Sequence, residues 1–389
     1  MRAESPTLLG GLTSREFLKQ HWQKRPLLVR GAFPDILPPL SAAELAGLAC
    51  EEGVESRVVQ QLRKAPGWKL RHGPFLHKDF KKLPKRQWTL LVQDVDKYVP
   101  AAAALLESFR FIPDWRIDDV MVSYAADGGS VGPHVDAYDV FLLQVEGMRR
   151  WDITTLPQPE HRLPGLELKQ VKTFKPEESW LLMPGDMLYL PPGVAHHGVA
   201  FGECMTCSIG FRAPSQTEML GDLTALLTQA AGDGVHYTDP DLVPAANPGE
   251  LTLEARARAR QMLRAQLKPS DEALDIWFGC HVTETKPWLR PMPPARRSSA
   301  ARLDEQLECG KQLAWHPAVR FAWFSVRQAC HLFVDGRHYA LPERDTAFAE
   351  LLGAGRRPDM ARLRRMLVDE RLRTLVRSWL ASGQLEWQA

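Results

Sequence analysis

Apolar and polar residues follow two different periods along this chain. Up to about residue 214 the apolar residues fall in short runs separated by Gly, Pro, Asn and Asp, which is typical of strands joined by turns. Strands are predicted at 25–31, 58–62, 68–72, 88–92, 120–124, 137–145, 164–174, 180–190 and 205–211. Helices are predicted at 13–23, 41–50 and 100–109. Many short strands with Gly/Pro turns predict a double-stranded β-helix of the jelly-roll type.

From Ser215 the apolar period changes to that of a helix. Helices are predicted at 217–231, 252–267 and 271–279. Three helices of this size bury little apolar surface among themselves. Packing against a second copy of the chain would cover their apolar stripes, so a homodimer is predicted here. The alternative is a bundle that packs only on its own β-domain.

A proline- and arginine-rich stretch, 287–299, is predicted to be a linker. After it, residues 320–326 and 331–339 alternate like strands around Asp335-Gly336, a hairpin signal. Helices at 346–352, 360–368 and 371–382 and a closing strand at 385–388 complete a winged-helix-like pattern. The predicted domains are therefore 1–214 (catalytic), 215–286 (helical dimerisation), 287–299 (linker) and 300–389 (winged-helix-like).

Composition and charge exclude several classes of function. The 389 residues are 44% hydrophobic with a formal net charge of +2, which argues against a dedicated nucleic-acid or membrane surface. The arginines near the C-terminus are interspersed with Asp359, Asp369 and Glu370, which favours a solvated or substrate-facing surface over a DNA-binding one. No apolar run spans a bilayer, no secretion signal opens the chain, and the six cysteines are scattered. A cytoplasmic location is predicted.

A metal site is predicted around His134 and Asp136. Two residues apart on a strand, their side chains point to the same face. An isolated His-x-Asp is common by chance, but two further histidines, His196 and His197, follow the turn Pro191-Pro192-Gly193. Two imidazoles and one carboxylate form the facial triad of non-haem Fe(II) oxygenases, which leaves adjacent coordination positions open. The spacing by itself leaves His196 and His197 both possible as the third ligand.

Three longer stretches carry a family resemblance. The segments GPHVDAYDVFLLQVEGMRRW, PGDMLYLPPGVAHHG and SIGFRAP resemble the JmjC-type cupin oxygenases, and within them the bacterial ribosomal oxygenases. The resemblance covers nearly the whole chain. It implies Fe(II), 2-oxoglutarate and O2 as cofactor and cosubstrates, a homodimer, and 3-hydroxylation of an arginine in large-subunit ribosomal protein L-sixteen. It also implies that His196 is the third metal ligand.

The cosubstrate needs a cation inside the barrel for its far carboxylate. Arg149 and Arg150 are adjacent, so on a strand only one of them points inward. The resemblance assigns this role to Arg149, whose planar guanidinium suits a carboxylate. The alternative is a surface arginine pair.

A substrate pocket is predicted from strand parity. Tyr138 shares a face with His134 and Asp136 if no bulge intervenes, and Asp119, Met121 and Ser123 share a face one strand earlier. An acid, an aromatic ring and a thioether suit an arginine, and Ser208 would add a hydroxyl. Core packing is the alternative for each of these residues. Thr206 stands where a relative would carry an amide, so the substrate depends more on the resemblance than on the site.

Two other functions remain open at this point. The first is the same Fe(II)- and 2-oxoglutarate-dependent hydroxylation of a different target, for example a histidine of another ribosomal protein. The second is a non-catalytic metal-binding cupin whose winged helix binds DNA. Turnover of 2-oxoglutarate separates the enzymes from the regulator.

Overall fold

The computed structural model describes residues 8–64, 67–157, 160–162, 169–171, 173–231, 236–244, 249, 251–266, 269–294 and 300–388. The chain forms two compact units. The first contains Met1–Ala213, Lys286–Arg290 and His316–Ala318, and the second contains Pro214–Thr285, Pro291–Trp315 and Val319–Ala389. No helix among the described residues is long and apolar enough to cross a membrane.

The described residues of the first unit form five short α-helices and twelve strands. The helices are α1 Ser14–Gln20, α2 Ala42–Leu48, α3 His77–Lys81, α4 Val95–Tyr98 and α5 Pro100–Leu105. The strands are β1 Leu27–Val29, β2 Ser56–Gln61, β3 Trp68–His72, β4 Trp88–Val92, β5 Ile117–Ala125, β6 His134–Val135, β7 Val140–Thr154, β8 Glu160–Arg162, β9 Lys169–Val171, β10 Glu178–Leu182, β11 Met187–Leu190 and β12 Ala195–Phe211. Thr13 and Ser41 cap α1 and α2, each in a capping box with a glutamate three residues on.

Ten of these strands form one sheet that curls into the jelly roll. The main path runs β1-β11-β7-β12-β5-β4-β2-β3, with β10 added to β7 and β6 added to β12. The long strands β7 and β12 lie antiparallel at its centre and pair from Ala195↔Thr154 to Gly210↔Val140. One side of the sheet packs into an aromatic core around Phe17, Phe141 and Tyr189. The predicted jelly roll is confirmed.

The predicted strand at 137–145 is wrong in its first three residues. The chain leaves the sheet after Val135 and re-enters it at Val140. Asp139 is fully buried in this interval, and its carboxylate accepts hydrogen bonds from Tyr189 Oη (2.6 Å) and Gln23 Nε2 (3.0 Å). Burying this carboxylate with its partners bends the chain out of the strand.

Several other predicted strands also differ from the structure in their bounds. The strand predicted at 180–190 is interrupted, because Asp186 Oδ2 accepts from Met183 N (3.0 Å) in a turn between β10 and β11. Of the strand predicted at 164–174, residues 164–168 and 172 lie outside the described residues, and β9 occupies part of the rest.

The second unit contains helices and two small sheets. Its helices are α6 Gln216–Ala231, α7 Leu253–Gln266, α8 Asp271–Thr283, α9 Ala300–Glu308, α10 Thr346–Gly353, α11 Met360–Met366 and α12 Glu370–Ala381. Its strands are β13 Gln312–Trp315, β14 Phe321–Val326, β15 Ala329–Val334, β16 Arg337–Pro342 and β17 Leu385–Gln388. The predicted hairpin turn is present, with Asp335 (φ 51°) and Gly336 (φ 74°) both left-handed.

Two layers cover the sheet β14-β15-β16. One face joins a core with α10, α11 and α12 around Trp379. On the other, α8 approaches so closely at Gly279 that a Cβ there would lie 2.5 Å from the Phe333 ring. In contrast, no described side chain of α6 or α7 is buried. The domain boundaries at 214, 286 and 300 stay predictions, as does the linker, whose residues 295–299 lie outside the described part of the chain.

Candidate metal and cosubstrate site

His134, Asp136 and His196 lie together in the jelly roll. Strand β6 pairs with β12 so that His134 is directly opposite His196, and the two ring centroids are 4.2 Å apart. Asp136 follows β6, and its Oδ2 lies 3.9 Å from His134 Nε2 and 3.6 Å from His196 Nε2. One ligand atom of each residue lies within 4.8 Å of the others.

Backbone carbonyls fix the orientation of both imidazoles. His134 Nδ1 is 3.0 Å from Gly132 O, and His196 Nδ1 is 3.0 Å from Val194 O. A carbonyl only accepts, so each Nδ1 carries the proton and each Nε2 keeps its lone pair for a metal. Burial, helped by His134, lowers the pKa of His196 to about 4. His196 is therefore a neutral imidazole, the form that binds metal.

His197 points away from this cluster. It is next to His196 on β12, so its side chain lies on the other face, where its ring meets Phe174 edge-on at 6.1 Å. Its strand partner there is Asp152. Among the described residues, the one group of three or more potential metal ligands contains His196 and not His197.

Arg149 is buried inside the barrel while Arg150 is exposed. The Arg149 Nη1 donates to Ser123 Oγ (3.1 Å) and to Thr206 Oγ1 (3.2 Å). Its guanidinium stacks over the Trp151 ring at 5.3 Å. Arg150, on the opposite face, pairs with Asp152 at 3.2 Å.

Arg149 has the environment of a cation that awaits an anionic ligand. Within the described part of the chain no carboxylate lies within 4.0 Å of its guanidinium, and its buried Nε has no hydrogen-bond partner. Burial lowers the pKa of Arg149, since the charged form is costly there. A carboxylate from a bound ligand would supply the missing counter-charge and acceptor, so the residues present fit 2-oxoglutarate.

The Trp151 ring lies near both Arg149 and the three candidate metal ligands. Its ring centroid lies 5.8 Å from that of His196. Gly198 makes room for it, because a Cβ at that position would lie 2.7 Å from the Trp151 ring. The indole therefore forms a wall beside the space between Arg149 and His196.

The predicted substrate residues are only partly brought together. In the β5–β12 register Met121 is opposite Ser208 and Ser123 is opposite Thr206, so these side chains share the inner face with Asp119. Tyr138 does not share it by parity, because the strand ends at Val135. The residue is 42% exposed, yet burial and the charges of Asp136 and Asp119 raise the pKa of Tyr138.

Several residues around the site escaped the sequence analysis. Thr206 donates to Gln144 Oε1 (2.9 Å), so the amide near the site comes from β7 and not from β12. Asp119 accepts from Asp94 N (2.8 Å), and Asp94 in turn pairs with Lys286. Strand parity gave no signal for Gln144, because it lies five residues before Arg149 and parity places the two side chains on opposite faces; the irregular register of β12 between Phe201 and Thr206 brings them together. Nothing in the sequence connects Lys286 to this site.

This arrangement of strands, facial ligands and buried arginine is that of a JmjC-type oxygenase. The family described as JmjC domain matches residues 104–219, and that described as ROXA-like winged helix matches residues 262–386.

Relatives and solved structures extend the match along the chain. The Escherichia coli ribosomal protein uL16 3-hydroxylase is 38% identical over 329 residues, 85% of this chain and 86% of that protein. A probable ribosomal oxygenase of Haemophilus influenzae is 36% identical over 59% of this chain and 55% of its own. The structure of Escherichia coli YcfD with cobalt and 2-oxoglutarate superposes with a TM-score of 0.81 at 32% identity, covering 97% of this chain and 99% of that one. The chain belongs to the ribosomal oxygenase family of JmjC-domain proteins.

Proposed function

We propose that this protein is an Fe(II)- and 2-oxoglutarate-dependent oxygenase that hydroxylates an arginine of large-subunit ribosomal protein L-sixteen, uL16. The observation that carries the proposal is the meeting of His134, Asp136 and His196, with both Nδ1 atoms committed to carbonyls. The match to the uL16 3-hydroxylase supports the choice of target.

The residues of the site are proposed to bind the metal and the cosubstrate. When bound, iron and 2-oxoglutarate supply the oxidative decarboxylation to succinate and CO2 that places one oxygen atom of O2 on a substrate carbon. His134, Asp136 and His196 would hold the metal. Arg149 binds the far carboxylate of the cosubstrate, and Ser123 and Thr206 orient the guanidinium.

Asp119 is the residue proposed to bind the substrate guanidinium. Burial, with Asp118 and Asp94 nearby, raises the pKa of Asp119 to about 7. A cationic arginine entering this place would favour the ionised carboxylate and gain a charge-assisted hydrogen bond. Met121, Tyr138 and Ser208 are proposed to contact the rest of that side chain.

The test is turnover with a defined substrate. The protein is incubated with Fe(II), 2-oxoglutarate and uL16, and succinate is measured together with the mass of each uL16 peptide. One added oxygen on an arginine-containing peptide, lost when Lys replaces that arginine, supports the proposal, because a point charge does not match a planar fork. An added oxygen on a histidine of another ribosomal protein would transfer the function to that target. Absence of 2-oxoglutarate turnover with any ribosomal protein would favour the metal-binding regulator.

The helices α6 and α7 are proposed to form a homodimer interface. Four of their leucines are exposed by 45% to 65% in the single chain: Leu220, Leu226, Leu253 and Leu263. In a symmetric dimer, each copy of the chain would cover these exposed leucines of the other. With a ribosomal protein as substrate, a cytoplasmic location is also proposed, and neither a nucleic acid nor a membrane is needed as a partner.

A further inference from the structure

A group of charged side chains surrounds Asp119 near the start of β5. Asp94 precedes α4 in a left-handed conformation (φ 56°), which directs its N–H to Asp119 Oδ2 at 2.8 Å. Two residues later, Asp96 Oδ1 accepts from Val120 N at 2.8 Å. Hydrogen bonds from Asp94 and to Asp96, on either side of the start of α4, therefore hold the Asp119 carboxylate and the Val120 backbone near the start of β5.

The acids in this group outnumber the cations. The titratable groups that act on Asp119 or its neighbours are Asp94, Asp96, Lys97, Asp118, Tyr138 and Lys286, with Arg57 acting on Tyr138. Four of them, counting Asp119, are carboxylates and two are lysines. Lys97 is paired with Asp96. Lys286 is the other lysine, and it comes from a segment 167 positions after Asp119 in the chain.

Lys286 makes a bidentate ion pair with Asp94. Its Nζ lies 2.8 Å from Asp94 Oδ1 and 2.9 Å from Oδ2. The side chain of Asp94 is 2% exposed, so it needs this partner. Lys286 belongs to the same compact unit as β5, although the segments on either side of Lys286–Arg290 belong to the other.

We propose that Lys286 is a positioning residue that keeps Asp119 ionised and correctly oriented for a cationic substrate side chain. It acts through Asp94: the ion pair holds the Asp94 turn whose N–H binds Asp119, and its charge offsets the repulsion among the carboxylates. This inference rests on the proposed role of Asp119. Lys286, which follows α8 in the chain, thereby takes part in substrate binding.

Removal of the lysine charge has a defined consequence for Asp119. Lys286 lowers the pKa of Asp119, whereas Asp118, Asp94 and Asp96 raise it. Replacing Lys286 by Met leaves that repulsion less balanced, so the protonated, neutral carboxyl becomes favoured to a higher pH. A shift of about one pH unit is the lower end of what a nearby opposite charge produces.

The first measurement is the Michaelis constant for an arginine peptide as a function of pH. Lys286→Met should raise it about fivefold at pH 7 and leave it near the wild-type value above about pH 9, where Asp119 is ionised again. The 2-oxoglutarate constant should not change. Lys286→Arg should restore the wild-type profile, and Lys85→Met, at an exposed lysine of the same unit, should have no effect. A Michaelis constant equally raised at every pH would indicate a merely structural role and would overturn the proposal.

The second measurement does not require turnover. Because the pKa of Asp119 is raised from 3.8 to about 7, Asp119 favours the folded state less as pH rises through that window, and Asp119→Asn should remove this part of the pH dependence of unfolding. In a Lys286→Met background the Asp119-dependent part should move to higher pH. An unmoved window refutes the Lys286 proposal. A moved window without hydroxylation of arginine peptides would instead refute the proposed substrate.

Discussion

Replacing Arg149 with Met should weaken 2-oxoglutarate binding strongly without destabilising the protein. The side chain is buried, and the residues described offer it two neutral hydroxyls but no carboxylate. A Met of similar length can keep the contact with Trp151. Neither hydroxyl is stranded by the change, since Thr206 still donates to Gln144 and Ser123 Oγ lies 3.4 Å from Thr206 O.

The magnitude follows from the ion pair that the bound ligand would complete. Removing one partner of a buried charge pair costs about 3 to 5 kcal/mol, because the other charge stays buried alone. At about 1.4 kcal/mol for each factor of ten, 2-oxoglutarate should bind about two to three and a half orders of magnitude more weakly. The free protein loses an uncompensated buried cation, so its melting temperature should be unchanged or higher.

The assay is calorimetric titration of 2-oxoglutarate into the Mn(II)-loaded protein without oxygen, followed by thermal unfolding. At 2-oxoglutarate concentrations of about one hundred times Kd, the wild type should gain about 2.7 kcal/mol of stability from the ligand, and Arg149→Met should gain none. Arg150→Met is the matched control, because the adjacent side chain is exposed and lies on the other face. Metal content should be the same in all three proteins.

Three results would refute this reasoning. Wild-type affinity in Arg149→Met would show that another cation binds the cosubstrate. An equal loss in Arg150→Met would show that the affinity depends on the strand and not on the buried guanidinium. A large fall in the melting temperature of Arg149→Met would contradict the view that the cation is uncompensated in the free protein.

Three other predictions concern the metal, the substrate and the assembly. His196→Ala should lose bound metal and turnover while His197→Ala keeps both, as measured by metal analysis and succinate release; the reverse result would exchange the two histidines. Asp119→Asn should raise the arginine-peptide Michaelis constant strongly while uncoupled 2-oxoglutarate turnover persists. In the wild type that constant should rise as pH falls through about 7, because Asp119 becomes neutral. Light scattering should show a dimer at micromolar concentration that Leu226→Asp converts to monomer, with exposed Val368→Asp as control; a wild-type monomer would exclude the interface.

Local patterns in the sequence were sufficient for most elements of the fold. Thr13 and Ser41 each form a capping box with the glutamate three residues on, and both residues of such a box are close together in the sequence. The hairpin at Asp335-Gly336 was recognisable because few residue pairs adopt two left-handed conformations in succession. These signals depend on neighbours in the chain, so a sequence without a structure contains them.

The features that were missed depend on partners far apart in the chain. Asp139 looked like part of a strand, but Tyr189 and Gln23 draw its carboxylate into the core. Tyr138 was therefore placed by the wrong parity. Lys286 lies in a segment that looked like the end of a helical domain, and only the folded chain brings it to Asp94. No periodicity encodes such contacts.

Residues for the proposed substrate and for the cosubstrate lie on the same face of β5, so both binding sites depend on the register of β5 with β12. Asp119 and Ser123 are four residues apart, so their Cα atoms are separated by about 13 Å at about 3.3 Å per residue. Asp119 serves the proposed substrate, whereas Ser123 orients Arg149. A slip of one residue against β12 would put Val120 and Tyr124 in their places, two residues that now pack on the core side. The buried contacts of Asp94 and Asp96 with Asp119 and Val120 oppose that slip at the end where β5 begins. The acidic cluster thus has two physical effects, since Asp94 and Asp96, whose charges raise the pKa of Asp119, also hold by hydrogen bonds the strand that positions Ser123 beside Arg149.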